Sequence, residues 1–164
     1  MSSYQQKQER PSHYITCFLA NPENMAETYT LSPTELSSIY AFAIQLGKDS
    51  GAILLKGLEK RRSGEDVSES VDKLNAVDIV TATDNEVEEF IHSAVSKAYP
   101  SHAFVGEESY SQGASKDYLV TNAPTWIVDP LDGTVNFTHA FPMFCVSIAL
   151  VVVNRPVIGG CFPS

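Results

Sequence analysis

The densest chemistry in this chain lies in Asp129-Pro130-Leu131-Asp132-Gly133-Thr134. An apolar run, Thr125-Trp126-Ile127-Val128, leads into it and reads as a strand that delivers Asp129 to its end. Pro130 sets a turn that brings Asp132 back toward the same point, so two carboxylates and the carbonyl of Leu131 can converge. Donors that are all oxygen suit a hard cation such as Mg2+. Gly133 lets a backbone come close, and a helix starting at Gly133-Thr134 would turn free N–H groups toward an anion. The same residues also make an ordinary Asp-Pro turn followed by a helix cap, and the spacing alone does not choose between the two.

Gly106-Glu107-Glu108-Ser109 places two more carboxylates directly after a short apolar run, where a solvated acidic loop is the simpler account. Asp78 and Asp84 flank Val-Thr-Ala-Thr; Asp84 by itself is explained as a helix N-terminal acid favoured by the macrodipole. Lys73 in isolation is a loop lysine. The histidines at 13, 92, 102 and 139 lack metal-ligand spacing, and no serine sits in a nucleophile-elbow pattern. Serine hydrolysis therefore has no support.

The elements that must position these groups can be read from period and punctuation. Ser32-Pro33-Thr34-Glu35 predicts a capped helix start, and Leu36, Ile39, Tyr40, Ala43 and Leu46 follow at helical spacing. The pattern runs to Lys60-Arg61-Arg62, cations suited to a helix C-terminus. Residues 76–82 read as a short strand, with Thr83-Asp84-Asn85-Glu86 opening a second helix whose stripe is Val87, Phe90, Ile91, Ala94, Val95 and Ala98. Strands are expected at 102–106, at 125–128 and from Cys145 to Val153. A turn at Asn154-Arg155-Pro156 then starts an antiparallel return over 157–162. Residues 1–31 are polar and aperiodic and are expected to form a flexible leader, with 32–164 as one α/β portion. A sheet whose last strand has only begun at the final residues leads to the expectation of a domain cut short.

The chain has 164 residues, and 43% of them are hydrophobic, enough for one real core. The net charge of -9 speaks against nucleic acid and anionic membranes as partners, though not against a phosphorylated substrate held through bound cations. Three cysteines, Cys17, Cys145 and Cys161, form no Cys-x-x-Cys pair and suggest reduced thiols in a cytoplasmic protein; Cys145 and Cys161 are expected to fill the core. The longest apolar run is too short to span a bilayer.

Taken together, Val77 to Asp84, Phe104 to Ser109, Trp126 to Phe137, Phe141-Pro142 and Val146-Ser147-Ile148 resemble the inositol monophosphatase family in order and spacing. The resemblance covers residues 73 to 162. It implies a layered α-β-α (α+β) fold of the sugar-phosphatase type, truncated here, with two N-terminal helices on a mainly antiparallel sheet. It also implies a Mg2+-dependent, Li+-sensitive phosphomonoesterase acting on myo-inositol monophosphate through an activated water. Glu107, Asp129 and the Leu131 carbonyl then match the ligands of a first Mg2+, and Asp129 and Asp132 match those of a second. Glu107 also matches a ligand of a third ion. Asp84 with Thr134 matches the pair that orients and deprotonates water, so that Asp84, Thr134 and Glu107 form the catalytic set. The amides of Gly133 and Thr134 match the phosphate contact, and Lys73 matches a substrate-facing loop lysine. Homodimers are common in the family. Its later Trp-Asp motif, which completes the second metal site, is not in this sequence. Other readings are a relative acting on nucleotide bisphosphates or fructose bisphosphate, and a non-catalytic metal-binding module.

Overall fold

The computed structural model describes residues 16–19, 31–63, 76–111, 113 and 123–163. The first helix, α1 (Pro33–Ser63), begins as its sequence predicts. The Ser32 amide donates to the Glu35 carboxylate at 2.8 Å, and the Glu35 amide donates to the Ser32 hydroxyl at 3.2 Å. This reciprocal box satisfies two N–H groups that no helical carbonyl can reach. Ser32→Ala is expected to cost about 0.5–2 kcal/mol, the usual loss of an N-cap, measured by urea denaturation. An unchanged midpoint would show that the box contributes nothing.

One face of α1 buries Leu36, Ile39, Ala43, Leu46 and Leu54 together with Gly47, Gly51 and Gly57. A Cβ at Gly47 would run into the Phe162 ring, and one at Gly57 into the Thr83 side chain. These two small positions let the helix lie close on the sheet on one side and on its neighbouring helix on the other.

That neighbour, α2, runs unbroken from Ala76 to Ala98. The strand expected at 76–82 is therefore wrong, and so is the helix start at Thr83. Val77, Ile79 and Val80 favour strands only weakly, and packing against α1 overrides that preference. The burial of Val80, Asp84, Val87, Ile91 and Val95 at three- and four-residue spacing shows one helical stripe running through the supposed boundary.

The sheet has five strands in the order β1-β5-β4-β3-β2, from β1 (Thr16–Leu19), β2 (Ala103–Gly106), β3 (Thr125–Asp132), β4 (Cys145–Val152) and β5 (Arg155–Pro163). Every neighbouring pair is antiparallel except β2 with β3, which is parallel. Helix α1 packs on β4 and β5, and α2 packs on β3 and β2. The mainly antiparallel sheet with two helices on it is thus present. Two short helices, α3 (Glu107–Ser111) and α4 (Thr134–Thr138), sit at strand ends. Thr16–Leu19 departs from the expected leader: it supplies the edge strand that pairs with β5, a run too short to show any period.

The β4–β5 turn lies earlier than expected. Val153 and Asn154 form it with φ of 48° and 58°, and Arg155 already begins β5. A two-residue hairpin of this hand needs two left-handed residues, which Pro156 cannot supply.

Along β4, Val146, Ile148, Leu150 and Val152 are buried under the helices, while 145, 147, 149 and 151 point the other way and are half-buried. The expectation that Cys145 and Cys161 fill the core fails for the same reason: Cys161 is exposed and Cys145 half-buried, both on the face away from the helices. The core is centred on Trp126, Phe137, Phe162, Leu54, Ile91 and Ile148. Among the described residues, no helix is long and apolar enough to cross a membrane.

Candidate metal and phosphate site

The parallel pair builds the site. Its register sets Gly106 beside Val128, so the residues that follow this last pair are Glu107 and Asp129. Their carboxyl groups come close enough that Glu107 pushes the Asp129 carboxyl up. Glu107 opens α3, and Asp129 stays on β3, which runs on to Asp132 rather than stopping at Val128.

Between Asp129 and Asp132 the strand bulges. Asp129 pairs with Ser147 and Asp132 with Cys145, so three steps on β3 match two on β4. Residues three apart on a regular strand face opposite sides, and the extra residue resets the phase. Both aspartates therefore share the face of Ser147 and Cys145. Pro130 and Leu131 are buried within the bulge, and the Leu131 amide donates to Asp129 Oδ1 at 3.1 Å. Cys145 Sγ lies 3.8 Å from Asp132 Oδ2.

Gly133 then turns the chain into α4 with φ 91°, a left-handed position. A Cβ there would sit 2.8 Å from the Met143 carbonyl oxygen, so glycine is required on both counts. Thr134, the first residue of α4, is exposed. Asn136 Nδ2 donates to the Met143 carbonyl at 2.6 Å, and Arg61 of α1 donates to the Phe137 carbonyl at 3.0 Å, so both flanks of α4 are braced.

Asp84 reaches the cluster from α2. It is 7% exposed, lies within the field of Glu108, and leaves its Oδ1 buried with no partner. Among the described residues no hydrogen bond joins the Thr134 hydroxyl to Asp84. Lys73 and Asp78 fall outside what can be said here: Lys73 lies outside the described residues, and the surroundings of the Asp78 side chain are not described.

Sequence reasoning missed Glu88. It is 6% exposed, and its two oxygens accept the Glu108 amide at 2.7 Å and the Ser109 amide at 2.8 Å. The signal was an acid on the apolar stripe between Val87 and Ile91, four residues after Asp84. Its role became visible only once the fold set the Glu108 and Ser109 amides against it.

Negative charge is concentrated here, on the carboxyl groups of Asp84, Glu107, Glu108 and Asp129. Burial, then the charges of Glu108, Asp129 and Glu107, push the Asp84 carboxyl up to about 8. Burial and Glu107 push Asp129 up to about 6, and burial with Glu107 and Glu88 raises Glu108. No lysine or arginine is among the groups that shift them. Among the described residues, no three of these side chains close into a ready cage; they act on one another chiefly in pairs, Asp84 with Glu108 and Glu107 with Asp129. An all-oxygen donor set, mutual repulsion and an orphaned buried Asp84 oxygen fit a hard divalent cation, which would separate the pairs and take up their charge.

A pH dependence follows. Asp84 and Asp129 bind protons more tightly folded than unfolded, where both titrate near 3.8. Their contribution to stability is therefore full below about pH 3.8 and falls as pH rises toward 8. With chelator present, melting temperature is expected to drop between pH 5 and pH 8, and Asp84→Asn to flatten that slope. Saturating Mg2+ should reverse it. Identical slopes in the variant and the parent would contradict the assignment.

The sequence profile of the inositol monophosphatase family matches residues 35–161. Protein qutG of Emericella nidulans is 56% identical over 126 residues, which make up 77% of this chain and 37% of that protein. Quinic acid degradation cluster protein x of Neurospora crassa is 52% identical over 141 residues, covering 79% of this chain and 42% of that one. The crystal structure of inositol monophosphatase-II from Staphylococcus aureus MSSA476 matches with a TM-score of 0.62 at 28% identity, over 77% of this chain and 41% of that one. The chain thus spans about two fifths of the length of the curated relatives it matches.

Proposed function

Because the chain belongs to the inositol monophosphatase family, we propose that it forms the metal- and phosphate-binding part of a Mg2+-dependent phosphomonoesterase acting on myo-inositol monophosphate. The observation that carries this reading is the meeting of Glu107 with Asp129 at the ends of a parallel pair, with the bulge setting Asp132 on the same face as Asp129.

In this reading Glu107, Asp129 and the Leu131 carbonyl hold one Mg2+, Asp129 and Asp132 a second, and Glu107 helps hold a third. When bound, the ions supply Lewis-acid charge to the phosphoryl oxygens and to the leaving alkoxide. The chain's own groups do the rest. The Gly133 and Thr134 amides, presented by a turn that only glycine can make, hold the phosphate. Asp84 and the Thr134 hydroxyl orient the attacking water and take its proton, with the free Asp84 oxygen available for that task. Lys73 contacts the substrate.

Crystal structures of SaIMPase-II hold inositol monophosphate in one case and 2′AMP in another, which supports a small phosphorylated substrate and leaves its alcohol open. The quinic acid cluster name carried by a relative of 52% identity adds a phosphate ester of a quinate-like cyclic polyol as a second candidate. Phosphate release by the purified chain is to be measured with inositol 1-phosphate, that ester, 2′AMP, a nucleotide bisphosphate and fructose bisphosphate, with and without Mg2+. The expected result is Mg2+-dependent release that is fastest with inositol 1-phosphate. Release unaffected by a chelator would reject the mechanism. Mg2+ binding without release from any ester would leave this chain as a metal-binding module.

A further inference from the structure

We propose that Glu88 is the positioning residue of this site, the group that sets where Glu107 and Glu108 point. Both of its oxygens are engaged by backbone amides at the start of α3, those of Glu108 and Ser109. These amides belong to the first turn of α3, where no helical carbonyl can accept them. A buried carboxylate on α2 replaces those missing acceptors and ties α3 to the rigid helix that also carries Asp84.

The chain also makes room for this contact. A Cβ at Gly106 would coincide with the Glu88 carboxyl group, so β2 ends in the one residue that lets the acid pass. With Glu108 and Ser109 held by Glu88, Glu108 turns to Asp84, and Glu107, one residue earlier, is left to meet Asp129. Glu88 touches neither the metal nor the substrate in the proposed function. It acts through the two residues it orients.

The test uses the 164-residue chain and partly rests on the proposed Mg2+ site. Calorimetric Mg2+ titration compares the parent with Glu88→Gln and Val95→Ala, each with its melting temperature. Glutamine keeps the size but turns an N–H group toward an amide that needs an acceptor. Val95 is 1% exposed on the same helix, so its truncation costs packing without touching the turn. Glu88→Gln is expected to bind Mg2+ at least about 10-fold more weakly, as loss of a ligand's hydrogen-bonded support usually does. Val95→Ala is expected to melt lower and bind as the parent does. Parental affinity in Glu88→Gln, or equal weakening in Val95→Ala, would overturn the inference. Gly106→Ala should weaken binding by a similar factor, and should add little once Glu88→Ala has emptied the space; full additivity would also overturn it. If the parent binds no Mg2+, the functional reading fails and amide exchange decides the inference alone. The Glu108 and Ser109 amides should be protected in the parent and exchange at least about 10-fold faster in Glu88→Gln. Unprotected amides in the parent would end it.

Discussion

Asp129→Asn is expected to weaken Mg2+ binding at least about 100-fold, the upper end of what losing even a ligand's supporting partner costs, and to abolish any Mg2+-dependent phosphate release. Asp129 is the side chain shared by the first and second of the three proposed metal positions, and it lies within the fields of Glu107 and Asp132. Asparagine keeps its shape and can still accept the Leu131 amide, so the bulge should survive. It removes one negative charge from a cluster whose carboxyl groups raise one another, and the metal-free protein should therefore melt higher than the parent above pH 6, near where Asp129 titrates. These opposite changes are diagnostic. A misfolded variant would lose stability and binding together, and a parental affinity for Mg2+ would remove Asp129 from the metal site.

The largest structural effect is expected from Trp126→Ala, about 3–5 kcal/mol by urea denaturation, the usual range for emptying a buried aromatic site. Trp126 is fully buried on β3, between Phe104 of β2 and Leu150 of β4 in the ladder. Its indole Nε1 donates to His102 Nδ1 at 3.1 Å, and its ring meets the edge of Phe42 with centroids 5.9 Å apart. Truncation would leave a cavity and an unpaired imidazole nitrogen at once. That loss is a large share of the roughly 5–15 kcal/mol that holds a domain together. Ile127, next in sequence, points to the other face and is 37% exposed, so Ile127→Ala should cost much less. Equal costs at 126 and 127 would show that the sheet's two faces are not distinguished as described.

Much of the site could be read from residue order. The acid-rich ends of two short apolar runs were recognisable because strands deliver side chains at their ends, and oxygen donors next to a glycine turn have few other uses in combination. The capping box at Ser32 and the helix at Thr134 were legible because both depend on neighbours within four residues. The second helix was misread at 76–82 because β-branched residues there mimic a strand until α1 is present to pack against. Glu88 was passed over for the same reason, since its partners lie 20 and 21 residues away.

The sequence by itself determined which carboxylates, glycines and apolar runs are available, and the family pattern they follow, because those signals are local and survive without a partner. Only the tertiary structure decided how they meet. The parallel register of β2 with β3 set Glu107 beside Asp129, and a one-residue bulge turned Asp132 to the same face. A continuous α2 brought Asp84 and Glu88 to Glu108. Register, bulge and helix contact are agreements between segments far apart in the chain, and no short stretch of residues encodes them alone.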